Sequence, residues 1–305
     1  MQQKCLYETC YRWIALSLIV VMVGLGYGYA FLDVHAVSLK GHDTSHAQAP
    51  SPPKPVVTPV SDTQALKKVL KKYEYNLKAV KKGQASVPRV YCSNLPKDFK
   101  TIGNQNKKQE MFLQVMLPMI LRVNEQILLD RQKLLQLKCR LQSRRLLKLE
   151  ERRWLRALAA RYKVKSSKYP NFKELLRRVD FIPPSLALAQ SIIESGWGES
   201  SAARVKNSPF GVISAERVKF SATLYESVET YTHLLNTAQA YQSMRQRRAL
   251  LRQQGNPISG DYLASDLIRY SILKEAYVEK VIAIIKRHGL KGFDAAQLRH
   301  TTYSL

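Results

Sequence analysis

From Ser185 to Ile193 the chain reads Ser-Leu-Ala-Leu-Ala-Gln-Ser-Ile-Ile, long enough for about three helical turns and apolar on nearly every side. Such a helix belongs in the middle of a fold. Pro183 and Pro184 suit its first turn, where a missing N–H costs nothing. The run closes on Glu194, followed by Ser195-Gly196-Trp197-Gly198, and Gly196 allows the left-handed turn that ends a helix. A carboxylate is thereby placed at the negative end of an apolar helix, beside a tryptophan. Burial and the helix dipole both disfavour its ionised form and predict a raised pKa. A carboxylic acid that keeps its proton near neutral pH can protonate a leaving sugar oxygen. The competing reading is a helix-end Glu facing solvent before a glycine cap.

The 305 residues, 45% of them hydrophobic, suffice for one sizeable domain with appendages or two small ones. Lys+Arg number 49 against 23 Asp+Glu, a net charge of +26 that suits nucleic acid, anionic lipid or an anionic cell-wall polymer equally. The N-terminus narrows that choice. Residues 13–32 carry no charge and are long enough to span a bilayer. Lys4 and Arg12 precede them, with Glu8 the only acid before and Asp33 immediately after, which predicts a cytoplasmic N-terminus. The run exceeds a usual signal-peptide core, so an uncleaved anchor is favoured over cleavage near Gly28-Tyr29-Ala30. Everything beyond it is then exported, which argues against nucleic acid as a partner. Residues 33–61, with Pro50, Pro52, Pro53, Pro55 and Pro59, read as an extended linker.

Residues 62–82 predict an amphipathic helix with Leu66, Val69, Leu70, Tyr73, Leu77 and Val80 on one face, lysines opposite and Gly83 as a stop. It either lies on an anionic membrane surface or packs its stripe on the domain with its lysines solvated. Residues 87–100 read as irregular connection. A helical region over 105–162 is expected to break near Pro118, and its basic pairs Arg144-Arg145 and Arg152-Arg153 either track an anionic polymer or are solvated. Residues 210–213 and 217–224 predict two short strands around Ser214-Ala215-Glu216. Helices are predicted again from Ser227, over 260–270 and over 274–288, with Gly289 as a stop.

Glu194-Ser195-Gly196-Trp197-Gly198 with Phe210-Gly211 resembles the glucosaminidase family (glycoside hydrolase family 73). The stretches Leu117–Ile120, Ala159–Lys165 and Arg178–Pro183 are similar to its branch of bacterial Bax proteins, so the resemblance spans roughly 105–290. It implies a mainly α (α+β) fold, a lysozyme-like helical body with a small β-hairpin lobe. Before it, the residue patterns themselves give the expected order: a cytoplasmic tail (1–12), a transmembrane signal-anchor helix (13–32), a Pro-rich linker (33–61) and a basic amphipathic helix with its connection (62–104). A helical region packing on the catalytic domain (105–182), the glucosaminidase-like catalytic domain (183–290) and a C-terminal tail (291–305) complete it.

The resemblance makes Glu194 the general acid and puts a second acidic residue on the β-lobe, where Glu216 is the candidate. Trp197, Phe210, Tyr231, Tyr270 and Tyr277 are the candidate substrate-binding groups, with Tyr270 and Tyr277 matching the family's C-terminal tyrosines. Core packing with a bonded hydroxyl is the competing role for the tyrosines. The chain departs from the family at Ser208-Pro209-Phe210-Gly211, where Asn-Leu-Phe-Gly is usual, and at Phe220-Ser221-Ala222, one residue out of step. Hydrolysis would fall on the β-1,4 bond after N-acetylglucosamine in peptidoglycan, by two carboxylates or by attack of the substrate's own acetamido oxygen. The alternatives are a lytic transglycosylase and a non-catalytic, membrane-anchored wall-binding scaffold. Peptidoglycan strands, the inner membrane and an anionic wall polymer or lipid are the implied partners.

No cofactor or metal is implied. The six histidines show no metal spacing, and neither a His-Glu-x-x-His, a Gly-x-Ser-x-Gly nor a phosphate-binding glycine loop is present. Cys5 and Cys10 precede the anchor. Cys92 and Cys139 fall on the exported side, where a disulfide is permitted but not required.

Overall fold

The structure, a computed structural model, describes residues 55–166, 169–214, 217–271 and 273–300. The expected anchor over 13–32, most of the linker and Glu216 lie outside the described residues. The fold is mainly helical. In chain order the elements are α1 (Thr63–Lys72), α2 (Leu77–Lys81), α3 (Gln105–Gln142), α4 (Leu149–Arg161), α5 (Phe172–Arg178) and α6 (Pro184–Ser195). They are followed by α7 (Ser201–Val205), β1 (Ile213–Ser214), β2 (Arg217–Val218), α8 (Leu224–Thr237), α9 (Gln242–Gln253), α10 (Gly260–Ala264) and α11 (Lys274–Arg287).

Helix α6 is the centre of the molecule. Its residues from Pro184 to Ile192 are all buried, and it packs against α3, α10, α11 and the 3-10 turn Leu290–Phe293. Pro184 occupies the first turn and Gly196 ends the helix at φ 56°, ψ 51°, as the sequence predicts. Burying Leu186, Leu188 and Ile192 contributes about 1.5–3 kcal/mol each, which holds an otherwise short helix in place. The entry to α6 is fixed by Asn124 of α3, whose side chain donates to the Ile182 carbonyl (2.7 Å) and accepts from the Ile182 N–H (3.1 Å).

Helix α3 corrects the reading of Pro118. It runs unbroken for 38 residues with Pro118 in its interior, and the chain leaves the helix only at Ser143. A proline costs an interior turn about 3 kcal/mol, but every neighbour from Met111 to Leu121 is buried, and that packing outweighs one lost hydrogen bond. Among the described residues α3 is the helix long and apolar enough to cross a membrane; its N-terminal half is buried in this fold as a core helix. Its C-terminal half pairs antiparallel with α4 through Asp130–Arg161, Lys133 over the Trp154 ring and Arg140–Glu151.

The single helix expected over 62–82 is two. Glu74 sits at φ 49° in the left-handed region, and Asn76 caps the second piece by accepting from Ala79 N–H at 3.0 Å. This break lets Leu66, Leu70, Leu77 and Val80 all reach the common core, whereas Tyr73 is left exposed. The stripe packs on the domain. Segment 291–298 is likewise no loose tail: Phe293 and Leu298 are buried, and Val87 exchanges backbone hydrogen bonds with Gln297 and Arg299. The β-lobe is shorter than expected, two residues per strand in antiparallel register Ile213↔Val218 and Ser214↔Arg217. Cys92 is buried and Cys139 exposed, and both are free thiols.

Helix α9 was not expected, because QSMRQRRALLRQ has almost no apolar stripe. Its inward side is instead Met244 flanked by the arginines Arg245 and Arg248. Arg248 donates to the Asp180, Phe181 and Arg177 carbonyls and to Asn236 Oδ1, all within 3.1 Å, while Arg252 grips Asp180 with two bonds of 2.6 and 2.8 Å. Arg131 of α3 approaches the same buried carboxylate at 3.5 Å.

Candidate functional site

The carboxyl group of Glu194 emerges from the last turn of α6, partly buried. Tyr277 of α11 donates its hydroxyl to Glu194 Oε1 at 2.9 Å. That hydroxyl accepts from Gln190 Nε2 at 3.2 Å, and Gln190 Oε1 accepts from Tyr231 of α8 at 2.7 Å. One polar chain thus ties three helices to the carboxyl. Burial pushes the Glu194 pKa up, against the Tyr277 hydroxyl and the Lys280 charge, which both lower it. The result is an acid that holds its proton to higher pH than an ordinary glutamic acid.

The turn after Glu194 is tightly specified. Gly196, Trp197 and Gly198 have φ of 56°, 60° and 84°, three successive left-handed residues. Gly198 is required twice over: its φ disfavours a side chain, and a Cβ there would meet Leu95 Cδ1 at 2.8 Å and Phe112 Cδ2 at 3.0 Å. Gly198 N–H donates to Ser195 Oγ at 2.9 Å, closing the turn. Trp197, which bears a full side chain in a conformation costing about 1–2 kcal/mol, packs edge-on against Phe112 (6.0 Å between centroids) and His288 (4.7 Å). Gly211 approaches the carboxyl from the other side, and a Cβ on it would lie 3.6 Å from Glu194 Oε2.

The expected sugar-contacting residues divide by burial. Trp197 and Tyr270 are partly exposed, and Tyr270 donates to the Phe210 carbonyl at 3.4 Å while stacking on Tyr277 at 5.2 Å. Phe210 and Tyr231 are 1% and 0% exposed and stack on each other at 3.9 Å. Both rings are thus buried against each other in the core in this structure. Tyr277 is also buried, and its hydroxyl is spent on Glu194.

Glu216, the expected second carboxylate, lies outside the described residues. Glu226 accepts from Ala222 N–H at 3.1 Å in the α8 cap. Glu229 sits about 200° round α8 from Tyr231. It lines a separate cleft of about 320 Å³ with Asp130, Arg161, Lys219 and His233. Among the described residues no three His, Cys, Asp or Glu side chains gather as a metal set would require.

Sequence reasoning missed Gln190 and Lys280, and both left a trace. Gln190 is the one long polar side chain in the apolar run and stands four residues before Glu194, on the same face. Lys280 follows Tyr277 by three residues on α11.

Comparison with known proteins bears on the same segment. Residues 169–290 match the family described as "Glucosaminidase: Mannosyl-glycoprotein endo-beta-N-acetylglucosaminidase". Over 232 residues, 71% of this chain and 78% of the relative, the sequence is 32% identical to "Protein bax" of Escherichia coli (strain K12). No solved structure matches.

Proposed function

This chain belongs to the Bax/glucosaminidase family, and from that premise we propose that it hydrolyses the β-1,4 bond after N-acetylglucosamine in peptidoglycan, with Glu194 as the general acid. The observation that carries the reading is the Glu194 carboxyl: desolvated, raised in pKa, and bonded by the Tyr277 hydroxyl at 2.9 Å. A protonated carboxyl in that setting delivers its proton to the glycosidic oxygen as the C–O bond breaks. Trp197 and Tyr270, partly exposed beside it, are the proposed sugar-contacting groups. The positive charge that develops at the anomeric carbon is met by Glu216 or by the substrate's acetamido oxygen, and water completes hydrolysis. We assign the work to the exported side of the inner membrane, with residues 13–32 as the anchor and 1–12 in the cytoplasm.

The test is mass spectrometry of fragments released from purified peptidoglycan by the wild type and by Glu194→Gln. Fragments with reducing N-acetylglucosamine ends, lost in the variant, are the expected result. Anhydro ends would make the protein a lytic transglycosylase. Tight binding without fragments from folded protein would make it a scaffold.

A further inference from the structure

The hairpin formed by the end of α3 and the start of α4 carries a surface that general-acid chemistry leaves unused. At its tip Leu146 is 85% exposed and Leu149 54%. Around them Arg144, Arg145, Lys148, Arg152 and Arg153 are all exposed, and none makes an ion pair among the described residues. Nearby acids do little to offset them: Glu151 is taken by Arg140 and by the Lys148 N–H, leaving Glu150 alone. Further along α3, Leu128, Leu129 and Leu135 are also exposed, at 41%, 52% and 46%.

We propose that this tip docks on an anionic lipid bilayer, Leu146 and Leu149 entering the headgroup region while the five cations meet lipid phosphates. Two properties select that partner. A soluble polyanion would use the guanidinium groups but gains nothing from leucines standing in water, whereas an interface takes both. A second copy of the tip would bring five like charges against five. The 13–32 segment of the same chain, uncharged and long enough to span, would bring such a surface to the same molecule. The inference is independent of the role given to Glu194.

The test uses the full chain with its native cysteines replaced (Cys92→Ala, the other three →Ser) and a bimane label at Leu146→Cys, mixed with phosphatidylcholine vesicles with or without a third of phosphatidylglycerol. The control label is Val205→Cys on α7. Val205 is 65% exposed near the opposite end of α3, where Lys108 pairs with Glu199 at 2.7 Å. The expected result is a blue-shifted emission at 146, quenched by brominated lipid, in anionic vesicles only and absent at 205. Arg144→Glu with Arg145→Glu should return the label to its aqueous emission. Each cation near an anionic surface is worth about a five-fold change in binding. Aqueous emission at 146 in both vesicle types, or quenching equal to that at 205, would overturn the proposal. So would an equal shift with a soluble acidic polysaccharide and no lipid.

Discussion

Glu194 shows what one residue position carries. Its place was readable, because an apolar run ending in Glu-Ser-Gly-Trp-Gly fixes both the helix and its stop. Its partners were not, since Tyr277 lies 83 residues away and nothing local marks it as the donor. The same limit hides the burial of Phe210 and Tyr231: an aromatic's type does not say which face of the fold it takes. On the proposed assignment of Glu194 as the general acid, activity should fall as pH rises through its pKa, because that acid must be protonated. Tyr277→Phe removes a donor that favours the carboxylate, so the alkaline limb of the pH–rate profile should move to higher pH. Lys280→Met should move it in the same direction by removing a favourable charge, at an exposed site where folding is undisturbed. A limb that stays put in both variants would remove Glu194 as the titrating group. Gly198→Ala should destabilise by about 1–3 kcal/mol in urea unfolding, from its left-handed backbone and its contact with Leu95.

Elements are positioned by buried polar ties as much as by apolar stripes, and that is where periodicity failed. Helix α9 was invisible because its buried face is Met244 with Arg245 and Arg248, and a hydrophobic pattern counts the two arginines as solvent-facing. Asp180, 1% exposed, gathers Arg131, Arg248 and Arg252 from two helices. Asp180→Ala should therefore cost about 3–5 kcal/mol, since it strands buried guanidinium charge. At the other end of α6, Asp294 accepts from Ser185 N–H (2.8 Å), Ser185 Oγ (2.7 Å) and Gly260 N–H (3.4 Å), clasping the starts of α6 and α10 together. Burial raises its pKa from 3.8 to about 6. The folded protein then holds this proton more tightly than the unfolded chain does. Its contribution to stability is complete below pH 3.8 and is lost as pH rises through about 6. Denaturation midpoints measured across that window should decline in the wild type and lose this component in Asp294→Asn, which keeps an acceptor but cannot ionise.

At the scale of the whole molecule the family match is narrower than the folding unit. Residues 169–290 carry Glu194, yet Phe112 supports Trp197 and Leu95 abuts Gly198 from outside that range, where Val87 also pairs with residues 297–299. A fragment of 169–290 alone should show no cooperative thermal transition by circular dichroism, while 55–305 should show one. The amphipathic pattern of 62–82 allowed either a membrane surface or the domain to cover its stripe, and the cover is the common core of the fold. Helix α3 joins the two ends of this body: Phe112 backs the tryptophan beside the acid, and the chain leaves the helix at Ser143 to form the cationic tip. Thirty-odd residues of unbroken helix separate them by about 45 Å. On the proposed docking, a continuous α3 fixes the separation between the lipid-facing tip and the Glu194 end of the fold, as a ruler would. Two turns added to α3 and matched in its partner α4 would lengthen that separation by about 11 Å and change how far from the docked tip the site can work.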